Sequence, residues 1–304
     1  MKVSELRARL KPWMLPIAMV TGVVAHNYME RAEAVAPVFI FVMLLITFCR
    51  VSPRELRVTR LSGLLLVVQL GGAVAVYAAL RPVSEPLAQG MFICFFCPTA
   101  TAAPVITGML GGSVPRLVTY SIIINVVVAL LAPPAFSLIA HGGAELTLAQ
   151  SVAMIASKVV PLILMPLAVA FLLQWKLPKV HHAIGSRQDW SFYIWALSLV
   201  IVVGRAVSFV MHEPARELPL MIALAVGAGL MCGVQFVMGR RIGARCGDRI
   251  AGAQALGQKN TVLAIWMALT FLDPVASVAP AAYIAWQNTF NSLQLYLHDR
   301  KARA

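Results

Sequence analysis

Ten runs of apolar residues dominate this chain of 304 residues, near 12–27, 35–50, 61–80, 88–112, 115–140, 148–175, 190–211, 217–239, 246–272 and 275–297. At about 1.5 Å per helical residue, each is close to the length needed to cross a hydrocarbon core of about 30 Å. Hydrophobic residues make up 60% of the chain and charged residues 12%. Soluble domains carry about 45–50% apolar and about 25% charged residues, so a soluble globular fold is excluded. Disorder is excluded with it, because it needs low hydrophobicity. Inside lipid every backbone polar group must be paired within the protein, and runs of this length do that as helices. The expected fold is an all-α membrane protein with ten transmembrane helices.

Charge orders these runs. The chain holds 25 Lys+Arg against 12 Asp+Glu, a formal net charge of +13. The bases sit between apolar runs rather than in one stripe, and no nucleic-acid motif accompanies them, so a nucleic-acid partner is not expected. With the N-terminus inside, the inner loops collect 19 bases, from Lys2 through Arg54, Arg116, Lys179 and Arg245 to Arg303. The outer side collects four: Arg31, Arg81, Arg205 and Arg216. This asymmetry follows the positive-inside rule and places both termini in the cytoplasm of a multi-pass inner (plasma) membrane protein. The basic opening segment, Lys2 to Lys11, has no A-x-A-like cleavage site after it; it reads as the lead of a first membrane helix. The partners expected are the lipid bilayer and a small solute, with no obligatory protein partner.

Ten spans divide into two sets of five, residues 1–146 and 147–304. A tandem repeat of an odd number of spans is inverted in the membrane. The fourth run of each set is long and interrupted, and corresponding broken helices in two halves mark a transporter site near the midplane. The first break reads Cys97-Pro98-Thr99-Ala100-Thr101-Ala102-Ala103-Pro104. Its prolines remove backbone donors, and Thr99 and Thr101 can cap the half-helix that follows. A simple proline kink is the alternative. The second break reads Gly257-Gln258-Lys259-Asn260-Thr261. A mid-bilayer lysine costs about 2.5–3.5 kcal/mol on insertion scales. Lys259 lies some ten residues beyond the basic cluster at Arg245–Arg249, which is deep for a side chain that snorkels to the interface. Lys158, in the sixth run, is the other base within an apolar run. Asn288 and Asn291 in the last run share a helix face, and Gln69 lies in the third; these amides serve either the site or helix–helix contact.

All twelve carboxylates map to loops or helix ends. No cofactor or metal-ligand set is visible. A cationic centre, reinforced by two half-helix N-termini, points to an anionic ligand.

At these residues the chain resembles the bile acid:sodium symporter family. The resemblance runs from Leu15 to about Leu297, on Cys97-Pro98-x-x-Thr101, Gly257-x-x-Asn260 and Trp286-x-Asn288. It implies two inverted five-helix repeats, with the fourth and ninth helices broken and crossing. A panel and a core would move against each other in alternating access. The substrates it implies are organic anions such as bile acids, sulfate conjugates and small carboxylates. It also implies that sodium-site positions are occupied here by Ala103, Pro104, Ala255 and Lys259, while Gln69 is retained. An ammonium would then stand where Na+ was bound.

The resulting expectation is a sodium-independent secondary transporter of a small organic anion, not an enzyme. Lys259 is the charge carrier and coupling group, with Gln69 beside it. Thr99, Thr101, Gln258, Asn260, Thr261 and Asn288 face the substrate. Two alternatives remain open: a sodium-coupled symporter with rebuilt sites, and a membrane thiol oxidoreductase using the Cys94-x-x-Cys97 pair.

Overall fold

A computed structural model describes residues 14–29, 32, 35–49, 57–100, 102–139, 148–212 and 215–303. The helices in chain order are α1 (Met14–Val24), α2 (His26–Met29), α3 (Ala36–Phe48), α4 (Arg60–Leu80), α5 (Glu85–Phe96), α6 (Ala103–Met109) and α7 (Val114–Ile139). They continue as α8 (Leu148–Lys176), α9 (Pro178–Gly185), α10 (Gln188–His212), α11 (Leu218–Arg245), α12 (Arg249–Gly257), α13 (Thr261–Phe271) and α14 (Val278–Arg303).

The ends of the interrupted helices follow from local chemistry. Ser84 caps α5 by accepting from the Leu87 amide, and a proline occupies its first turn. The helix stops at Cys97, where Pro98 follows and offers no N–H. Pro104 sits in the first turn of α6, where a missing donor costs nothing. Asp248 caps α12 by accepting from the Ala251 amide at 2.8 Å. Asn260 caps α13 by accepting from the Leu263 amide at 3.2 Å. Only the second interruption carries a side-chain cap, Asn260; the first half-helix beyond Pro98 starts at Ala102 with none.

Small residues set the closest helix approach. On α11, Gly239 and Gly243 are four apart and face α12, where a Cβ on Gly239 would fall on the Gly252 carbonyl and one on Gly252 would fall on the Gly239 carbonyl. This small-xxx-small contact lets the two backbones touch. The turn between them closes through Gly247 at φ 78°, a left-handed conformation suited to glycine. On the other side of the interrupted helices an aromatic cluster fills the core. Phe92 stacks on Phe96 at 5.0 Å, and Phe136 stacks on Phe271 at 5.8 Å, joining α5, α7 and α13.

The expected ten transmembrane helices in two inverted five-helix repeats are corrected by these lengths. Among the described residues four helices are long and apolar enough to cross a membrane: Arg60–Leu80, Val114–Ile139, Ala149–Lys176 and Leu218–Arg245. Five of the other six runs are short, divided or polar, for physical reasons visible in the chain; the seventh forms α10, an unbroken helix of 25 residues. The runs that were read as the fourth and ninth helices are divided into pieces of 12, 7, 9 and 11 residues. A piece of 12 residues reaches only about 18 Å. The first two runs give helices of 11 and 13 residues. The last gives a long helix that carries Gln287, Asn288, Asn291 and Gln294. The chain is thus a multi-pass helical membrane protein with short helices at its centre.

The crossover of the interrupted helices

The two breaks pair with each other. The Ala100 amide donates to the Gln258 carbonyl at 3.1 Å, and the Asn260 amide donates to the Pro98 carbonyl at 2.8 Å. Thr99 and Lys259 thereby form an isolated antiparallel bridge. Extended backbone deep in an apolar protein needs such pairing, because unpaired amides and carbonyls there cost several kcal/mol. Side chains complete it. The Thr99 hydroxyl donates to the Ala255 carbonyl at 2.9 Å, the Cys97 thiol to the Asn260 carbonyl at 3.2 Å, and the Lys259 amide to Gln287 Oε1 at 2.9 Å.

Lys259 lies at the centre with 1% of its surface exposed. Its Nζ donates to the Phe95 carbonyl at 2.9 Å, in the last turn of α5. The C-terminal turn of a helix presents unpaired carbonyls and the negative end of the macrodipole, so the ammonium sits where a cation is favoured. Sequence reasoning expected only half-helix N-termini at this point. The structure brings C-terminal ends to the same place, and the ammonium takes one of them. Among the described residues no carboxylate joins it. Glu85 pairs with Arg81 and Glu217 with Arg216, while Asp248 and Asp273 cap helices by accepting from backbone amides. An ammonium has three donors; the Phe95 carbonyl occupies one.

Gln69, fully buried on α4, reinforces the end of α5. Its Nε2 donates to the Cys97 carbonyl at 2.8 Å and the Phe96 carbonyl at 3.2 Å, and its Oε1 accepts from the Tyr120 hydroxyl at 2.6 Å. Gln235 on α11 and Tyr283 on α14 do a similar job. Gln235 Nε2 donates to the Cys94 carbonyl at 3.2 Å, and the Tyr283 hydroxyl donates to the Gly257 carbonyl at 2.9 Å. Asn260 spends its side-chain oxygen on the α13 cap, and its Nδ2 is buried without a hydrogen-bond partner.

Of the residues singled out from sequence, Gln69, Thr99, Gln258, Lys259, Asn260 and Thr261 come together here, all buried. The Thr261 amide donates to the Lys259 carbonyl at 2.9 Å. Thr101 lies outside the described residues. Asn288 is half-buried, and its neighbour Gln287 is the one that faces the crossover. Lys158 is exposed on α8, away from the crossover. Ala103, Pro104 and Ala255 bring no side-chain oxygen to the site. Sequence reasoning missed Gln287, Gln254, Gln235, Tyr120 and Tyr283. The spacing Gln287, Asn291, Gln294 is a helical stripe that was legible in the sequence.

The thiol oxidoreductase alternative does not survive. Cys94 and Cys97 are both free, with no disulfide between them, and both are sealed from solvent. Thiol exchange needs an accessible thiolate, and Cys97 is engaged on the Asn260 carbonyl.

The chain matches no curated protein by sequence. A family comparison matches residues 18–289 to the SBF-like CPA transporter family. This corrects the resemblance drawn from motifs. Cys-Pro, Gly-x-x-Asn and Trp-x-Asn are short patterns of a few residues each, whereas the match over residues 18–289 weighs nearly the whole chain and assigns a CPA transporter family instead of the bile acid:sodium symporter family. Membrane location, helical architecture and secondary transport follow from that match. On that match, this chain belongs to the SBF-like CPA transporter family.

Proposed function

We propose that the chain moves a small organic anion, a carboxylate or a sulfate conjugate, by alternating access, and that it does so without sodium because the Lys259 ammonium is a cation tethered at the crossover. One observation carries this reading: a buried ammonium held by a half-helix carbonyl, with no described carboxylate to neutralise it. In transporters of this architecture, unwound carbonyls and helix C-terminal ends hold the coupling cation. Lys259 occupies such a position and brings its own charge. A buried charge needs a counter-charge, and an anionic substrate supplies it transiently. The unpartnered Asn260 Nδ2, one residue along the chain, is a neutral donor suited to the same ligand.

In this scheme Lys259 is the charge partner. Asn260 and Gln258 donate to the anion's oxygens, and Thr99 and Thr261 shape the backbone that holds them. Gln69 fixes the α5 carbonyls in place. The cytoplasmic placement of both termini, read from the basic loops, belongs to the same proposal.

The test is uptake of a panel of labelled carboxylates and sulfates into proteoliposomes. Uptake by the wild type should be equal in NaCl and KCl. Lys259→Met should reduce it by about 100-fold, the consequence of losing a buried charge partner worth about 2–5 kcal/mol. Undiminished uptake by a folded Lys259→Met protein would refute the role. The family's description as a CPA transporter supports a second reading, in which a cation moves against protons carried by Lys259. Cation flux driven by a pH gradient, with no uptake from the anion panel, would favour it.

A further inference from the structure

Four carboxamide side chains form a polar ladder between α12 and α14, and a fifth, Gln287, sits on the Lys259 backbone amide at its inner end. The Lys259 amide donates to Gln287 Oε1 at 2.9 Å. Gln258 Nε2 donates to Asn291 Oδ1 at 3.4 Å and also to Gln254 Oε1, and Gln254 Nε2 donates to Gln294 Oε1 at 3.3 Å. Gln254, Gln258, Gln287 and Asn291 are buried, whereas Gln294 is half-buried. On α14 the three amides are spaced four and three apart, so they lie on one face. Seven residues separate the first from the last, about 10 Å of helix. The ladder therefore joins the Lys259 backbone to the surface.

Its outer end is also basic. Arg249 opens α12, Arg300 lies in the last turns of α14, and both are exposed. The neighbours of the ladder on α14 that point away from it, Leu293 and Trp286, are exposed and apolar or aromatic.

Interhelical hydrogen bonds in membranes contribute about 0.6 kcal/mol each on average. Four linked amides, with a fifth on the Lys259 amide, run from a buried charge to a basic rim for little gain in adhesion. We propose that the face shared by α12 and α14 is the hydrophilic access path to Lys259, along which water and the anionic solute reach the crossover from the basic end of the molecule. Carboxamides suit the task because each has both donor and acceptor atoms. The ladder is self-paired when the path is closed, and its amides turn to a solute when α12 and α14 separate. The inference rests on Lys259 as the charge carrier and adds the route and the side from which it is reached.

The experiment is modification of single introduced cysteines in proteoliposomes by the membrane-impermeant anionic reagent sulfonatoethyl methanethiosulfonate. The wild-type chain, with its native cysteines, gives the background rate. Asn291→Cys and Gln294→Cys should react at least about tenfold faster than Leu293→Cys, and faster with the anionic reagent than with its trimethylammonium counterpart. A rate at Asn291→Cys no greater than at Leu293→Cys would overturn the path. Hydrogen exchange of the unsubstituted chain gives a second reading if Asn291→Cys fails to fold. Residues 254–259 and 287–294 should exchange faster than the equally buried α13, and equal protection would overturn the proposal. Neither measurement substitutes Lys259. Labelled cysteines with full uptake by Lys259→Met would keep the path and remove the charge carrier. Unlabelled cysteines with lost uptake would do the reverse.

Discussion

Lys259 is costly where it stands, and that cost separates function from stability. Replacing a buried charge with an apolar side chain of similar length is commonly neutral or stabilising by about 1–4 kcal/mol. The change also frees the Phe95 carbonyl, at about 1–3 kcal/mol. Lys259→Met should therefore melt within a few degrees of the wild type while losing transport. A large drop in melting temperature would mean that the lysine serves the fold. Gln69 is the opposite case. It satisfies two carbonyls at the end of α5 and accepts from Tyr120, all in the interior. Gln69→Leu leaves these groups unpaired and should destabilise by about 1–3 kcal/mol for each orphaned group, read as a clear fall in thermal midpoint. Lys259, Asn260 and Thr99 were legible in the sequence because polar residues beside Pro and Gly interrupt an apolar run. Gln287 was legible only as part of a stripe with Asn291 and Gln294, and Gln254 not at all, because neither breaks a helix and the face that turns inward is decided by packing. Asn288 was chosen over Gln287 for that reason: a motif gives spacing and leaves the inward face open.

The breaks themselves were visible as elements, since Pro98 and Gly257 stop helices by removing a donor or ending the side-chain stripe. What each break opposes was not visible. The close approach of α12 to α11, which carries one arm of the crossover, is set by Gly239, Gly243 and Gly252. Gly252→Val places a side chain against backbone atoms of α11. Overpacking of this kind costs about 1–3 kcal/mol or more, and here it should also shift the crossover and lower transport. Gly63→Ala and Gly71→Ala on α4 have nothing within 4 Å of the added methyl. They should be neutral or stabilising by up to about 1 kcal/mol. Melting curves of the three variants check the contrast; a Gly252→Val protein as stable as Gly63→Ala would contradict the close contact.

For the whole molecule, composition alone excluded a soluble fold, and the charge distribution suggested an orientation. Hydropathy counts apolar residues, however, and does not register where a helix stops. Ten apolar runs were therefore read as ten spans, although among the described residues four helices have the length and composition to cross. The short motifs led to a different family because the spacing of a few residues weighs less than a match over residues 18–289. The central claim concerns the net charge that the crossover supplies for itself. If Lys259 is its cation, the folded protein has no specific use for Na+. Any ion that binds only the folded state stabilises it by mass action, by about 2.7 kcal/mol at a hundredfold excess over Kd, and so raises the melting temperature. The direct measurement is the melting temperature of the purified protein in NaCl and in KCl at matched ionic strength. The account predicts equal values at every concentration. A sodium-specific rise that grows with the logarithm of Na+ concentration would contradict it.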